Sequence, residues 1–354
     1  MKTDKAERLC LHRRDLLRAG LNLAALSAAA PLANVLTLAQ GGGAAAAPPP
    51  PVKGTQLVLL GTQGGPNVNL RRGQAANAVI VDGRPYLVDC GYGTIRSLVA
   101  AGIAFGQVGT AFITHLHDDH MSDIAALLSL QWTGSKQQPT DIYGPYGTAA
   151  MVDAAIAFTK GNADIRITDE GRTTRPEQLF HGHDVAAEAA PVQVFKDDRL
   201  TVTAVENTHF PDRAKAAMRY RSLAYRLQTE TRSIVISGDT AYSKNLVTLA
   251  KGADFFVCEL IDQPQYDVNL AAAQREKAQG RENSVAQHVV ETHSNNAEVG
   301  RMAAEAGVKT VVLTHLLPGS NRNTTAEYPD SSYIEGVRKV FSGQVIVGRD
   351  LMVL

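Results

Sequence analysis

An excess of charge of either sign is what this sequence most plainly lacks. Lys and Arg together number 35, Asp and Glu together also 35, and the formal net charge is zero. No global basic field draws the chain to nucleic acid or to a membrane surface, so nucleic acid is not an expected partner. Cysteine is scarce, three in 354 residues. Cys10 precedes the expected fold, while Cys90 and Cys258 each close an apolar, strand-like run. Those two read as small buried hydrophobes rather than as a disulfide framework. The single tryptophan, Trp132, lies just after an expected helix and reads as core packing, with an aromatic pocket wall as the alternative. Apolar residues make up 44% of the chain, the level of a soluble globular protein. The length suits one large α/β domain, and no internal repeat is visible.

The first residues do not read as part of that domain. Arg13-Arg14-Asp15-Leu16-Leu17-Arg18 precedes an Ala/Leu-rich run over 19–39 that contains no acidic residue. A charged start, an apolar middle and small residues after it read as an export signal over 1–39. Paired arginines followed by two leucines resemble a twin-arginine signal, which would deliver a folded protein to the periplasm or outside the cell. No stable membrane span is expected once it is removed. Residues 40–51 are a low-complexity Gly/Ala/Pro tether, and the domain proper is expected over 52–354.

Within that domain the densest chemistry is Phe112-Ile-Thr-His115-Leu-His117-Asp118-Asp119-His120. It follows an apolar, β-branched run over 108–113, which reads as a buried strand. The polar side chains therefore sit where a strand ends and the chain turns toward a helix. Three imidazoles and a carboxylate within six residues cannot be buried separately without a large desolvation cost, and a divalent cation removes it. Imidazole with carboxylate suits zinc, and also iron or manganese.

Strands are expected over 56–60, 78–81, 85–88, 108–114, 140–143, 200–205, 222–227, 233–237, 255–258, 310–313 and 344–347. Helices are expected over 94–101, 122–130, 147–160, 244–250, 284–291, 297–306 and 331–341. Early hairpin-like strands followed by strand–helix alternation suggest two packed sheets with helices outside. Asn295-Asn296 and Gly307 supply start and stop signals for one helix. Four more residues fall at element ends: His209, Asp239 in Ser237-Gly238-Asp239-Thr240, His293, and His315 in Leu313-Thr314-His315. A single histidine at such a place is commonly structural; the set of them is more telling.

Together these residues resemble the metallo-β-lactamase superfamily, and within it the ribonuclease Z and metal-dependent arylsulfatase branch. Leu59-Leu60-Gly61-Thr62 and Tyr143-Gly144-Pro145 extend the resemblance, which covers nearly all of 56–354. It implies an αββα sandwich with the site along one edge of the sheets, and two divalent metal ions, zinc being expected. His115, His117 and His209 would hold one ion, Asp119, His120 and His315 the other, with Asp239 bridging. Seven ligands exceed one tetrahedral ion, and an anionic bridge relieves repulsion between cations ~3.5–4 Å apart. A water between them would ionise near neutral pH, with Asp119 placed to orient it and accept its proton. His293 resembles the family's non-ligand histidine, placed to donate a proton to the leaving oxygen or to bind the charged group, and Glu259 is expected to hold its ring.

Two departures bear on substrate. Members that process tRNA carry a long arm between the strand after the His209 position and the strand before the bridging aspartate, where this chain has only Gln228-Thr-Glu-Thr-Arg232. Asp118 stands where small residues are common, either adding charge near the metals or facing water. Arg213, Lys215, Arg219 and Arg221 could clamp a sulfate or phosphate, or form a solvated basic loop. His181 and His183 read as a plain loop. The leading expectation is an exported dinuclear hydrolase of a small-molecule anionic ester, a phosphodiester or aryl sulfate. A lactone or β-lactam hydrolase, a ribonuclease Z-like endonuclease and a non-catalytic metal-binding protein are the alternatives. A homodimer is compatible with any of them.

Overall fold

A computed structural model describes residues 53–281, 283–319 and 328–354. The expected signal over 1–39, the tether over 40–51 and Cys10 lie outside them. The first sheet takes its six strands in chain order, β1 (Thr55–Gly61), β2 (Ala76–Val81), β3 (Arg84–Val88), β4 (Thr110–Phe112), β5 (Thr140–Gly144) and β6 (Phe180–Asp184). The second does the same with β7 (Val192–Lys196), β8 (Thr201–Glu206), β9 (Leu223–Gln228), β10 (Ser233–Ile236), β11 (Phe255–Ile261), β12 (Thr310–Leu317) and β13 (Gln344–Val347). Each sheet opens as an antiparallel meander and continues as parallel strands, from β3 in one and β10 in the other. Parallel neighbours need a crossover, and helices supply it. These are α1 (Thr94–Ala100), α3 (Ile124–Thr133) and α4 (Thr148–Glu170) on the first sheet. On the second they are α6 (Lys244–Ala250), α9 (Asn296–Ala306) and α10 (Asp330–Arg338).

Alternation along the strands produces the layers. In β1, Leu57 and Leu59 face the space between the sheets, while Val58 and Leu60 face the helices α1 and α3. The inter-sheet core joins Tyr86, Val88 and Phe112 to Val202, Tyr225, Ile236, Val257 and Val312. A third cluster, with Phe256, Val311 and Leu313, packs under α6, α9 and α10. The expected αββα sandwich is therefore the fold. The outer edge of β1 is covered by the C-terminal residues, with Leu57 N donating to Leu354 O at 2.9 Å and Leu59 N to Met352 O at 3.0 Å. Cys90 and Cys258 are buried and unpaired, and Trp132 is buried with its Nε1 donating to the Thr174 carbonyl. Among the described residues no helix is long and apolar enough to cross a membrane.

Several expectations need correction. His181 and His183 belong to β6, not to a loop. Their strand escaped notice because its inner face is Phe180 and a glycine. A Cβ at Gly182 would lie 2.6 Å from Ala149 Cα of α4, so close helix packing removes the apolar residue that would have marked the strand. The exposed strand β7 was missed too. So were the short helix α5 (Asp212–Ala217) and the solvent-facing helix α7 (Gln263–Ala278), which buries only Ala273. The helix expected over 122–130 is α3, shifted to 124–133, and a separate one-turn helix ahead of it, α2 (Asp118–Met121), was not expected. β12 does not end before His315 but runs on to Leu317. β9 and β10 are joined by a tight turn in which Thr229 N donates to Arg232 O at 2.9 Å, so no arm stands there.

Candidate metal centre

Every residue singled out for the site arrives at the same end of the two sheets from a different element. β4 ends at Phe112, and Thr114 to His117 lead into α2, a single turn that presents Asp119 and His120. Gly91 lets this loop come close: a Cβ there would lie 2.1 Å from the Asp119 carbonyl oxygen. Across the gap, β8 leads to His209, β10 to Asp239 and α8 (Val285–Thr292) to His293. Gly238, with φ +59° and no room for a Cβ beside Thr114, allows the turn that aims Asp239. His315 is the extra residue of a bulge in the β11–β12 ladder, where Glu259 pairs with Thr314 and Leu260 with Leu316. Its φ of +44° is unusual for a non-glycine residue, and the bulge turns its side chain toward the other sheet.

The seven side chains form two donor sets. His115, His117, His209 and Asp239 each offer an atom within 4.8 Å of all the others, and so do Asp119, His120, His315 and Asp239. Asp239 belongs to both. His120 Nε2 lies 3.2 Å from Asp239 Oδ1, and His315 Nε2 3.2 Å from Asp239 Oδ2 and from Asp119 Oδ2. Apart from His117, which is half-buried, every member is at most 3% exposed.

Three of the rings are held by one nitrogen and offer the other. His120 Nδ1 meets Asp89 Oδ2 at 2.9 Å, His115 Nδ1 meets the Thr114 hydroxyl at 3.1 Å, and His209 Nδ1 meets the Thr292 carbonyl at 3.2 Å. Asp89 also accepts from Thr114 N at 2.8 Å, which fixes the loop as well as the ring. Such backing of an imidazole by an acceptor is how proteins orient metal ligands. His115 Nε2, His120 Nε2 and Asp239 Oδ1 are buried without a hydrogen-bond partner. Unpaired buried polar atoms cost free energy, and three of them aimed at common points fit a cation. His315 is the exception, because Gly65 N–H also approaches its Nε2 at 3.2 Å.

Electrostatics favour neutral rings in the first donor set, whereas in the second, against the effect of burial, the carboxylates of Asp239 and Asp119 raise His120 and His315. Burial and the neighbouring imidazoles of His120 and His209 push His115 well below the ordinary histidine value, and burial dominates the similar fall at His209. Both rings are therefore neutral, the form that ligates. Burial would raise Asp239, but the imidazoles of His315 and His120 outweigh it and hold the carboxylate ionised.

Beside these sets lies a third arrangement. His293 Nδ1 contacts Glu259 at 2.8 Å and 3.0 Å, as expected from sequence, and Glu259 is fully buried while also accepting from Thr240 N–H. Burial opposes a charge on His293, yet the Glu259 carboxylate raises its pKa to about 9. His293 leads into α9, whose N-cap Asn295 and C-terminal Gly307 (φ +63°) are the start and stop signals read from sequence. Asp118 is exposed and faces water. The basic segment is no free clamp. Arg213 pairs with Glu291, Lys215 with Glu206 and Asp212, and Arg221 with Glu206, while Arg219 lies over the Tyr146 ring at 4.0 Å. Sequence reading missed Asp89, which only its place after β3 marked, and His288 on α8, which contacts His117, His209 and His293.

A two-sheet sandwich with a paired imidazole–carboxylate centre at one edge defines a class, the hydrolases of the metallo-β-lactamase fold. Residues 84–316 match the Beta-lactamase superfamily domain, and this chain belongs to that superfamily. Its relatives include the ribonuclease Z of Mycobacterium sp. (strain KMS), 32% identical over 298 residues, which are 84% of this chain and 94% of that one. The ribonuclease Z of Mycobacterium bovis (strain BCG / Pasteur 1173P2) is 27% identical over 299 residues, 84% of this chain and 96% of that one. Among solved structures, the short form of human tRNase Z superposes with a TM-score of 0.59 at 23% identity, covering 84% of this chain and 98% of that one. YhfI of Bacillus subtilis, a metallo-β-lactamase fold protein, gives 0.57 at 19% identity, covering 85% and 98%. At those identities the two structures speak to the fold alone.

Asp89→Asn keeps the size of the side chain but weakens the acceptor behind His120. Zinc affinity measured by competition with a chelator is expected to fall about 10–100-fold. Unchanged affinity would show that Asp89 serves only the loop.

Proposed function

We propose that the chain is an exported dinuclear metallohydrolase that cleaves a small anionic ester, a phosphodiester or an aryl sulfate. The observation that carries this reading is the division of seven side chains into two donor sets sharing Asp239. His115, His117 and His209 would hold one divalent cation and Asp119, His120 and His315 the other, most naturally zinc. Once bound, such a pair supplies Lewis acidity toward the ester and a water acid enough to attack near neutral pH.

The chain's own residues supply the rest. Asp119, near His120 and His315, orients the attacking water and takes up its proton. His293, kept protonated by Glu259, donates a proton to the departing oxygen at its Nε2. Its positive charge also favours an anionic substrate over a neutral lactone or β-lactam ring. The tight β9–β10 turn supports a small substrate, because the arm that grips tRNA in processing members has no counterpart at that place. The relatives named ribonuclease Z support a phosphodiester as the bond cleaved.

Zinc-loaded protein is expected to turn over bis-p-nitrophenyl phosphate or p-nitrophenyl sulfate faster than a lactone, nitrocefin or a precursor tRNA. His293→Ala is expected to lower kcat on the preferred ester by about 10²–10⁴-fold. Faster turnover of precursor tRNA would replace this reading with the endonuclease one, and an unaffected His293→Ala variant would remove the proton donor. Export is tested separately. Changing Arg13 and Arg14 together to Lys is expected to leave the protein in the cytoplasmic fraction, whereas normal delivery of that variant would exclude the twin-arginine route.

A further inference from the structure

His288 is an imidazole at the metal centre that the mechanism above does not use. It projects from α8, one turn before Thr292, and its ring centroid lies 5.3 Å from that of His209, 5.6 Å from His293 and 6.0 Å from His117. A nitrogen of His288 falls within 4.8 Å of one on His209 and one on His293. Three histidines so close would suggest a further cation site, but their other contacts rule against it. His209 Nδ1 is taken by the Thr292 carbonyl, and its Nε2, 3.2 Å from His117 Nδ1, belongs to the first donor set. His293 Nδ1 is taken by both oxygens of Glu259. His288 meets only a hydroxyl, at long range. The Thr292 hydroxyl sits 3.3 Å from its Nδ1 and 3.5 Å from its Nε2, straddling the ring, and donates its own proton to the His288 carbonyl at 2.7 Å. The other histidines of the centre are buried, whereas His288, like His117, is only half-buried and can meet an incoming molecule.

The helix that carries it is held firmly. Ser284 caps its start by accepting from Gln287 N, and the Tyr266 hydroxyl of α7 donates to the Val290 carbonyl. From α5, Arg213 donates to Asn283 at 2.9 Å and to Glu291 at 2.6 Å, clasping α8 against the segment that follows His209. A ring on a braced helix, close to the donor sets and engaged by the protein only through the long Thr292 contacts, suits a ligand contact better than packing alone does.

We propose that His288 is a substrate-anchoring residue, hydrogen-bonding a non-bridging oxygen of the anionic group beside His293. This rests on the reading of the site as an anionic-ester centre and assigns the contact that holds the anion. A hydrogen bond to a charged group is worth roughly ten- to a hundredfold in affinity. His288 is not a metal ligand, so its loss leaves the metal content intact.

Inorganic phosphate, titrated calorimetrically into zinc-loaded protein, tests this without requiring turnover. His288→Ala is expected to weaken phosphate about tenfold or more and to raise KM for bis-p-nitrophenyl phosphate similarly, with kcat changed far less. Zinc content and Tm should match the unsubstituted protein, and His288→Gln should recover most of the loss. Unchanged phosphate affinity, loss of zinc in the Ala variant, or no measurable phosphate binding by the unsubstituted protein would each overturn the proposal. If the unsubstituted protein binds phosphate through His288 but hydrolyses no ester, the proposed activity fails and the anion contact stands.

Discussion

The buried carboxylate of Asp239 is the constraint on which the rest of this structure turns. It stands between His120 and His315 on one side and His115 and His209 on the other, 2% exposed. An ionised carboxylate is expensive to remove from water unless charge of opposite sign is supplied close by. Protonated imidazoles supply part of it, but five histidines cannot all be cationic in so small a volume. Two of them, His115 and His209, are driven neutral by burial and by one another. Divalent cations would resolve the conflict, since they neutralise carboxylates while requiring the imidazoles to be neutral. The buried, partnerless nitrogens of His115 and His120 fit such an arrangement.

The architecture serves that convergence. Each sheet contributes loops from one end of its strands, and the inter-sheet core built on Phe112, Tyr225 and Ile236 sets the two halves at a fixed separation. Phe112 stacks on Tyr143 at 5.7 Å and meets Tyr225 at 5.6 Å, only three residues before His115. Local conformations that would otherwise be disfavoured gather here: His315 at φ +44° and Asp89 at φ +60°, both non-glycine and both at the centre. Strain of this kind costs on the order of 1–3 kcal/mol per residue and persists where the surroundings over-determine the backbone. Asp89 is held by His120 and Thr114, and His315 by the strand that continues on either side of it.

Much of this was legible in the amino-acid sequence. The His-x-His-x-Asp-His run announced itself by density, and Asp239 and His209 by their places at the ends of apolar runs. What escaped had physical reasons. β6 carries a glycine where an apolar residue would have signalled a strand, because α4 packs too close for a side chain. α7 shows no apolar stripe because it packs mainly against α8 and buries one alanine. The bulge at His315 is a matter of ladder register, which a single strand's sequence does not express. Asp89 and His288 act through space on residues 31 and 79 positions away in the chain, namely His120 and His209. Apart from the place of Asp89 just after β3, their own neighbours in sequence carry no sign of it. The basic residues of 213–221 illustrate the opposite error, since acids from other elements neutralise most of what looked like a clamp.

The central claim is that distant side chains converge on two cations with one carboxylate between them. Zinc counting by mass spectrometry on protein purified without chelators, beside the Asp239→Ala variant, tests it most directly. The account predicts about two equivalents for the unsubstituted chain, from its two donor sets, and a marked fall in the variant. One equivalent or none in the unsubstituted protein after zinc is supplied, or two retained without Asp239, would contradict it.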